Sequence, residues 1–291
     1  MSKILNKFLM LSVTLTVIAG CSNETNITGM AEQIASNNIN IQSTCTLSTG
    51  IPNYRVFRGI KRTDVPYQKF VQELNTRFIP AAPQTHIKNG LVAYLPAIPP
   101  QNNPPGIPDE FAIVIYESAD VYQQARNTPE GKAYADLHWE IFDKDKSKSG
   151  SAVSLESTGG TINTETPYDV LQKPTDWQCG YSTFFVGTKL DNVKSADFLP
   201  GLTKHVNLVR STFEPVGLKG YIVVGNENME IAFMNWSSKA AADRAMSSPA
   251  GKNVVNDAGK IMKPYQFTGA VNFKNDISAG KFVNVKFQKR G

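Results

Sequence analysis

An internal repeat constrains the fold of this chain more than any other feature of its sequence. The segment Thr128–Lys132 recurs as Ser248–Lys252, at an offset of 120 residues. Closer to the N-terminus, Phe57–Lys61 matches Phe185–Lys189 at an offset of 128 residues. The offset changes where the first copy has a Pro-rich stretch, residues 96–108, and the second copy has only a short turn. One loop insertion explains both offsets, so the two copies should share one order of secondary-structure elements.

Hydrophobic periodicity gives each copy the order β-α-β-β-α-β. β-branched and aromatic residues predict a strand over Tyr54–Lys61. An amphipathic helix is predicted from Pro66 to Pro80, and Thr128 is the predicted N-cap of a later helix. Ala152–Leu155 is the predicted closing strand. This order is that of the ferredoxin-like unit, so the predicted fold class is α+β with two tandem βαββαβ repeats.

The link between the third strand and the following helices suggests a family. The segment Ile115–Tyr122, followed by a Pro-x-Gly-Lys helix start, resembles the dimeric α+β barrel superfamily, in particular the antibiotic-biosynthesis-monooxygenase-like domains. Trp236-Ser237-Ser238 repeats the pattern in the second copy. The resemblance implies that two such units pair their sheets into a barrel. Because both units belong to one chain, we expect one intramolecular barrel and a monomeric protein.

These patterns divide the chain into six predicted segments. They are a signal peptide (1–20), an acylated flexible tether (21–50), a first repeat (51–155), a linker (156–178), a second repeat (179–275) and a C-terminal strand or tail (276–291). The tail is expected to form an edge strand because Phe282–Phe287 alternates apolar and polar residues.

The N-terminus has the features of an export signal. Lys3 and Lys7 precede an apolar segment, Phe8–Ile18, which is short for a membrane span but typical of a signal peptide. The sequence Ile18-Ala19-Gly20-Cys21 resembles the bacterial lipoprotein box, which implies that Cys21 is acylated with palmitate-type chains and holds the protein on a membrane. The expected location is the cell envelope, in the outer membrane of a Gram-negative cell because no Asp follows Cys21. The alternative is an ordinary signal peptide with an incidental cysteine.

The charges and titratable residues exclude several partner classes. Without residues 1–20 the chain has 28 basic and 25 acidic residues, too even a balance for a nucleic-acid-binding protein. Its three histidines are scattered, without the spacing of a metal site. No cofactor-binding motif is present, and no cofactor is expected.

Two cysteines remain in the exported protein, Cys45 and Cys179. An even pair in an oxidising compartment predicts a disulfide bond. Two unpaired thiols are the alternative, because spacing alone does not establish proximity.

His138 is the strongest candidate for a functional side chain, and Arg58 is its candidate partner. His138 lies on the apolar row of its helix and could act as an acid or base. Four aromatic residues are candidates for an apolar ligand pocket: Tyr116, Tyr134, Trp139 and Trp236. His138 could instead be a hydrogen-bonded core or boundary residue, and the four aromatic residues could belong to the core. His205 is expected to be structural, and His86 is expected to be solvated in a loop.

Two functions follow from these residues, and the sequence leaves open whether the protein is an enzyme. The first is an envelope lipoprotein that binds a small apolar or aromatic molecule, or a protein partner, in a cleft of the barrel. The alternative is a cofactor-independent monooxygenase or related enzyme that uses His138. An open cleft beside His138 would favour the enzyme, and a filled one would favour a binding or structural role.

Overall fold

The computed structural model describes residues 52–99, 106–177 and 179–265. The first repeat contains a four-stranded antiparallel sheet with the strand order β2-β3-β1-β4. Read from the other edge, this is the 4-1-3-2 order of a ferredoxin-like unit. Its elements are β1 (Asn53–Gly59), α1 (Tyr67–Glu73), a π-helical turn (Leu74–Phe78), α2 (Ile79–His86), β2 (Leu91–Ala97), β3 (Glu110–Tyr116), α3 (Ala119–Asn127), α4 (Pro129–Ile141) and β4 (Lys148–Ser151).

The second repeat has the same architecture with two added strands. Its sheet has the order β10-β7-β9-β8-β6-β5, in which the first four strands again follow the 4-1-3-2 order. The elements are β5 (Val153–Ser154), β6 (Pro167–Asp169), β7 (Tyr181–Lys189), α5 (Ser195–Phe213), β8 (Leu218–Gly225), β9 (Met229–Trp236), α6 (Lys239–Ser247), α7 (Pro249–Ala258) and β10 (Met262–Pro264). The predicted α+β class with two ferredoxin-like repeats is confirmed.

The two sheets face each other across a shared apolar core, as in one intramolecular α+β barrel. Side chains alternate between the two faces of a strand, so Val56 points towards the second sheet and Phe57 towards the helices of its own repeat. In the shared core, the rings of Phe111 and Phe184 come from different repeats and lie 5.1 Å apart. Each repeat has a further core between its sheet and its helices.

The repeated Pro-x-Gly-Lys motif has a structural explanation. Thr128 and Ser248 each accept a hydrogen bond from the backbone N–H three residues later, at 3.0 Å, and a proline occupies the next helical position. A Cβ atom at Gly131 or Gly251 would lie 2.1 Å from a carbonyl oxygen of the preceding helix. The motif therefore caps one helix and packs it tightly against another in both repeats.

The first helical segment continues beyond its predicted end. Pro80 lies at the start of α2, where its missing N–H does no harm, and α2 then continues to His86. The π-helical turn at Leu74–Phe78 accommodates one additional residue relative to α5, so the offset between the repeats falls from 128 at Leu74 to 127 at Gly90. The Pro-rich stretch contributes the rest of the change in offset, not all of it as the sequence suggested.

The closing strand and the linker also differ from expectation. β4 pairs with β1 at Lys148–Ser151, earlier than the predicted Ala152–Leu155. The next residues form β5, which pairs in parallel with β6 from the linker. Both strands extend the second sheet because β6 pairs with β8. The segment 156–178 is thus partly an element of the second sheet.

The N-terminal predictions lie outside the described residues, and so does the tail beyond residue 265. The signal peptide, Cys21, the tether, Cys45 and the strand at Phe282–Phe287 therefore remain predictions. The Cys45–Cys179 disulfide bond remains a prediction as well, because only Cys179 lies among the described residues. No helix among residues 52–99, 106–177 and 179–265 has the length and apolarity needed to cross a membrane.

Candidate functional site

A cavity of about 130 Å³ lies between the sheet and the helices of the first repeat. We call it the first-repeat cavity. β1, β2 and β3 form its floor, and α2, α3 and α4 form its walls. Its lining comprises Arg55, Phe57, Phe78, Ala82, His86, Leu91, Tyr94, Ala112, Val114, Tyr116, Tyr122, Arg126, Gly131, Tyr134, Ala135, His138 and Ser149. Aromatic rings and histidines dominate this lining, as in many pockets for small organic molecules.

His138 enters the cavity from α4. Its Nδ1 lies 2.9 Å from the carbonyl oxygen of Tyr134. Because a carbonyl can only accept, Nδ1 must carry the proton and Nε2 must have the lone pair in the neutral ring. Burial lowers the pKa of His138 to about 4, and the nearby His86 adds to this effect. His138 is therefore neutral at physiological pH and offers Nε2 as an acceptor.

His86 is the functional candidate that the sequence reasoning missed. It is the last residue of α2 and only 5% exposed, so the expectation of a solvated loop residue was wrong. Its ring packs edge-on against Tyr116 and Tyr134, with centroid distances of 6.0 and 5.0 Å. Burial lowers its pKa to about 4. Its Nδ1 is buried without a hydrogen-bond partner among the described residues, a cost that a polar ligand group could relieve.

A buried tyrosine–glutamate pair lies at the floor of the cavity. The hydroxyl of Tyr94 donates to Glu110 at 2.6 Å, and burial raises the pKa of Glu110 to about 7. The second repeat has the same pair, in which Tyr221 donates to Glu230 at 3.2 Å. Because the pair occurs in both repeats, we regard it as part of the shared scaffold.

Two arginines lie at the edge of the cavity. The guanidinium of Arg55 lies over the ring of Tyr122, 4.1 Å from its centroid. It donates to the hydroxyls of Ser149 and Ser151 at 2.7 and 3.1 Å. Arg126, from α3, is exposed and also lines the cavity. The edge of the cavity is thus positively charged, and its interior is aromatic.

The second repeat has side chains of a continuous apolar core at the equivalent positions. Alignment of the conserved elements places Phe213 where the first repeat has His86, and Trp236 where it has Tyr116; the two rings pack at 5.3 Å. Val254 and Ala258 replace Tyr134 and His138. All four second-repeat residues belong to one apolar cluster. Among the described residues, this polar lining therefore occurs in the first repeat and is replaced by apolar side chains at the equivalent positions of the second.

The structure brings together only some of the candidates from the sequence. Tyr116, Tyr134 and His138 all line the cavity. Arg58 does not, because it lies on the opposite face of β1 from Arg55 and Phe57. It pairs there with Glu165, which has a left-handed φ of 62°. Arg58 therefore connects the first repeat to the linker and is not placed beside His138.

The two tryptophans are also outside the cavity. Trp139 follows His138 on α4 and is half-buried, with the Lys144 ammonium 5.9 Å from its ring centroid. Trp236 is buried in the core of the second repeat. His205 is buried as well, with its Nδ1 3.2 Å from an Asp257 oxygen, in agreement with its expected structural role.

Neither a second depression nor a cluster of metal ligands offers a further candidate site among the described residues. A depression of about 560 Å³ lies between the linker and the start of α5, and it has no histidine, arginine or aromatic ring in its lining. No group of three or more potential metal ligands occurs among residues 52–99, 106–177 and 179–265.

No protein-family profile matches the sequence, and no curated protein is significantly similar to it. Among solved structures, the chain is similar to a candidate monooxygenase of Fusobacterium nucleatum subsp. nucleatum, with 10% identity and a TM-score of 0.41 over 81% of this chain and 96% of the other. A candidate monooxygenase of Lactobacillus acidophilus has 8% identity and a TM-score of 0.36 over 81% and 100% of the two chains. SnoaB, a cofactor-independent oxygenase from Streptomyces nogalater, has 12% identity and a TM-score of 0.26 over 36% and 94%. At such low similarity, the activity of this chain has to be inferred from its own cavity.

Proposed function

We propose that this protein binds a small aromatic molecule in the first-repeat cavity. The observation that carries the proposal is the difference between the repeats: the first has a cavity lined by aromatic rings and two neutral histidines, and the second has core residues there. A buried nitrogen without a partner, such as Nδ1 of His86, destabilises a folded protein. A ligand that supplies the missing hydrogen bond would remove this cost, which explains why the first repeat retains the histidine.

The volume of the cavity limits the ligand to about one ring. An apolar cavity of about 150 Å³ in an engineered protein accommodates benzene, and the first-repeat cavity has a similar volume of about 130 Å³. The ring pairs Phe78–His138 and His86–Tyr134 have T-shaped geometry, which is also a favourable arrangement for an inserted aromatic ring. The ligand class we infer is therefore a substituted benzene with at least one polar group.

Calorimetric titration with benzyl alcohol tests this proposal. Wild-type protein should bind it, and Ala135→Phe should abolish binding because Ala135 lines the cavity and the larger ring would occupy it. Ala133→Phe is the matched control, since Ala133 is exposed on the same helix. Equal binding by Ala135→Phe and the wild type would overturn the assignment of the site.

A second candidate function is oxidation of such a ligand by O₂ without a cofactor. The proton on Nδ1 of His138 favours it, because Nε2 is then free to take a proton from a hydroxylated ring. The lowered pKa of His138 argues against it, because a base with a pKa of about 4 is weak at neutral pH. The open cavity beside His138 meets the condition stated above for an enzyme, but the low pKa of His138 and the unpartnered polar lining weigh more. Binding is therefore the function that the site supports better.

Oxygen uptake distinguishes the two functions. An oxygenase should consume O₂ with hydroquinone faster than the uncatalysed reaction, and His138→Ala should remove the excess rate. If oxygen uptake with protein is no faster than in buffer alone while the ligand still binds, the protein is a binding protein and not an oxygenase.

We further propose that the binding domain is held at the cell envelope through Cys21. The lipobox-like sequence and the preceding apolar segment support this location. Cys21→Ser should release the protein from washed membranes, and membrane association with unchanged mass in that variant would contradict the anchor.

Two further proposals concern the assembly and the cysteines. We expect the protein to sediment as a monomer. We also expect non-reducing peptide mapping to find a Cys45–Cys179 disulfide bond.

A further inference from the structure

The two arginines of the first-repeat cavity have no carboxylate partner in the part of the chain that the structure describes. Neither Arg55 nor Arg126 takes part in an ion pair among the described residues. Burial lowers the pKa of Arg55, and the positive charge of the nearby Arg126 lowers it further. Two like charges that share one cavity edge without a counter-ion destabilise the unliganded protein.

Arg55 is held in a defined orientation. Tyr122 covers one face of its guanidinium at 4.1 Å, and the hydroxyls of Ser149 and Ser151 accept one hydrogen bond each from its terminal nitrogens. A guanidinium has five N–H groups, so three remain for a ligand. A guanidinium fixed in this way loses little side-chain freedom when it binds a carboxylate, for which its planar fork is well suited.

The second repeat lacks both charges. Thr183 occupies the position of Arg55 on the equivalent strand, and Met246 that of Arg126 on the equivalent helix. The two arginines thus occur in the same repeat as the cavity, and the second repeat has neither an arginine nor a histidine at the four equivalent positions. This coincidence separates the arginines from the shared scaffold and connects them to the ligand.

We propose that the ligand of the first-repeat cavity is a small aromatic carboxylate with a second polar substituent on its ring. The ring lies among Tyr134, His86 and His138, the carboxylate binds Arg55 and Arg126, and the substituent hydrogen-bonds to Nδ1 of His86. This inference rests on the proposed function and specifies its ligand class. Such a ligand must reach from the aromatic interior to the arginines at the cavity edge. A benzoate, with its carboxylate attached directly to one ring, has the required length.

Titration with benzoate, benzamide and benzyl alcohol tests the inference, because benzamide has nearly the shape of benzoate without its charge. Wild-type protein should bind benzoate about tenfold more tightly than benzamide. Arg126→Gln should weaken benzoate about fivefold and benzamide less than about twofold, because benzamide lacks the charge that Arg126 neutralises. Arg126 is exposed, so its replacement should leave the fold intact. Arg244→Gln is the matched control: the same charge is removed from α6, in the second repeat, and no effect is expected.

Arg55→Gln should have a larger effect, about thirtyfold on benzoate, with an unchanged far-UV circular dichroism spectrum as the sign of an intact fold. Equal affinity of wild-type protein for benzoate and benzamide would overturn the carboxylate inference and leave the proposed function standing. Absence of binding by all three compounds would overturn the proposed function itself.

Discussion

The two repeats of this chain have the same topology and differ in what lies between sheet and helices. In the first, His86, Tyr134 and His138 surround a cavity. In the second, Phe213, Val254 and Ala258 fill the same space as part of one apolar core. The caps, the close-packed glycines and the buried tyrosine–glutamate pair are common to both.

This difference shows which parts of the unit are needed to fold and which are free to vary. The second repeat demonstrates that the scaffold can be completed with ordinary core residues. The polar lining of the first repeat is therefore not required by the topology, and its unsatisfied histidine carries a cost in stability. Such local costs are expected at functional sites.

The largest difference should appear when equivalent aromatic residues are truncated. Phe213→Ala removes a ring that is 1% exposed in a packed core and should lower the free energy of unfolding by about 4 kcal/mol. His86→Ala enlarges an existing cavity and removes an unpaired nitrogen, so its loss should be about 1 kcal/mol. Urea denaturation measures both. Equal losses would mean that the first repeat is packed as tightly as the second.

The pH dependence of stability should come partly from the first repeat. His86 and His138 have pKa values of about 4 when folded, below the unfolded value of 6.5. The unfolded chain therefore binds more protons between pH 6.5 and 4, and stability falls as the pH falls through that window.

Replacing both histidines by their second-repeat equivalents, His86→Phe and His138→Ala, should remove about 4 kcal/mol of the loss between pH 7.5 and 5. Urea denaturation of the wild type and the variant at both pH values gives the change in the free energy of unfolding for each protein. Glu110 is present in both proteins, so its contribution cancels when the two changes are subtracted. The same pH dependence in both proteins would contradict the buried, neutral histidines.

Equivalent glycines should differ in how well they tolerate a methyl group. A Cβ at Gly59 would lie 2.3 Å from the ring of Phe142, and one at Gly187 would lie 2.4 Å from the sulfur of Met262. Because methionine rearranges more easily than a buried phenylalanine, Gly59→Ala should cost about 2 kcal/mol and Gly187→Ala about 1 kcal/mol. Thermal unfolding measures both losses of stability. A larger loss for Gly187→Ala than for Gly59→Ala would mean that the site beside Met262 is the more rigid of the two.

The helix caps should show the smallest effect and no difference between repeats. Ser118 accepts from the N–H of Val121 at 3.2 Å, and Ser238 accepts from that of Ala241 at 3.1 Å. Ser118→Ala and Ser238→Ala should each cost about 1 kcal/mol. Unequal losses in thermal unfolding would indicate that the shared scaffold is less alike than its geometry suggests.

The residue patterns predicted the scaffold well and the site only in part. Capping residues, first-turn prolines and alternating strands depend on neighbours in sequence, so the repeated segments at Thr128 and Ser248 could be interpreted directly. Tyr116, Tyr134 and His138 were found because they lie on the inward rows of predicted elements. Arg58 was chosen without regard to the two faces of its strand, whose alternation places Arg55 on the helix side.

The sequence by itself determined the duplication and the order of elements, since both depend on local spacing. The export signal is also a matter of local composition, and it remains a prediction. Only the tertiary structure decided that His86 and His138, far apart in the chain, share a cavity with Arg55 and Arg126. The π-helical turn and the continuation of α2 through Pro80 place His86 there, and neither has a reliable signature in the sequence. Whether the space under the helices is open or filled depends on the combined volumes of side chains from several elements, and that sum exists only once they are packed together.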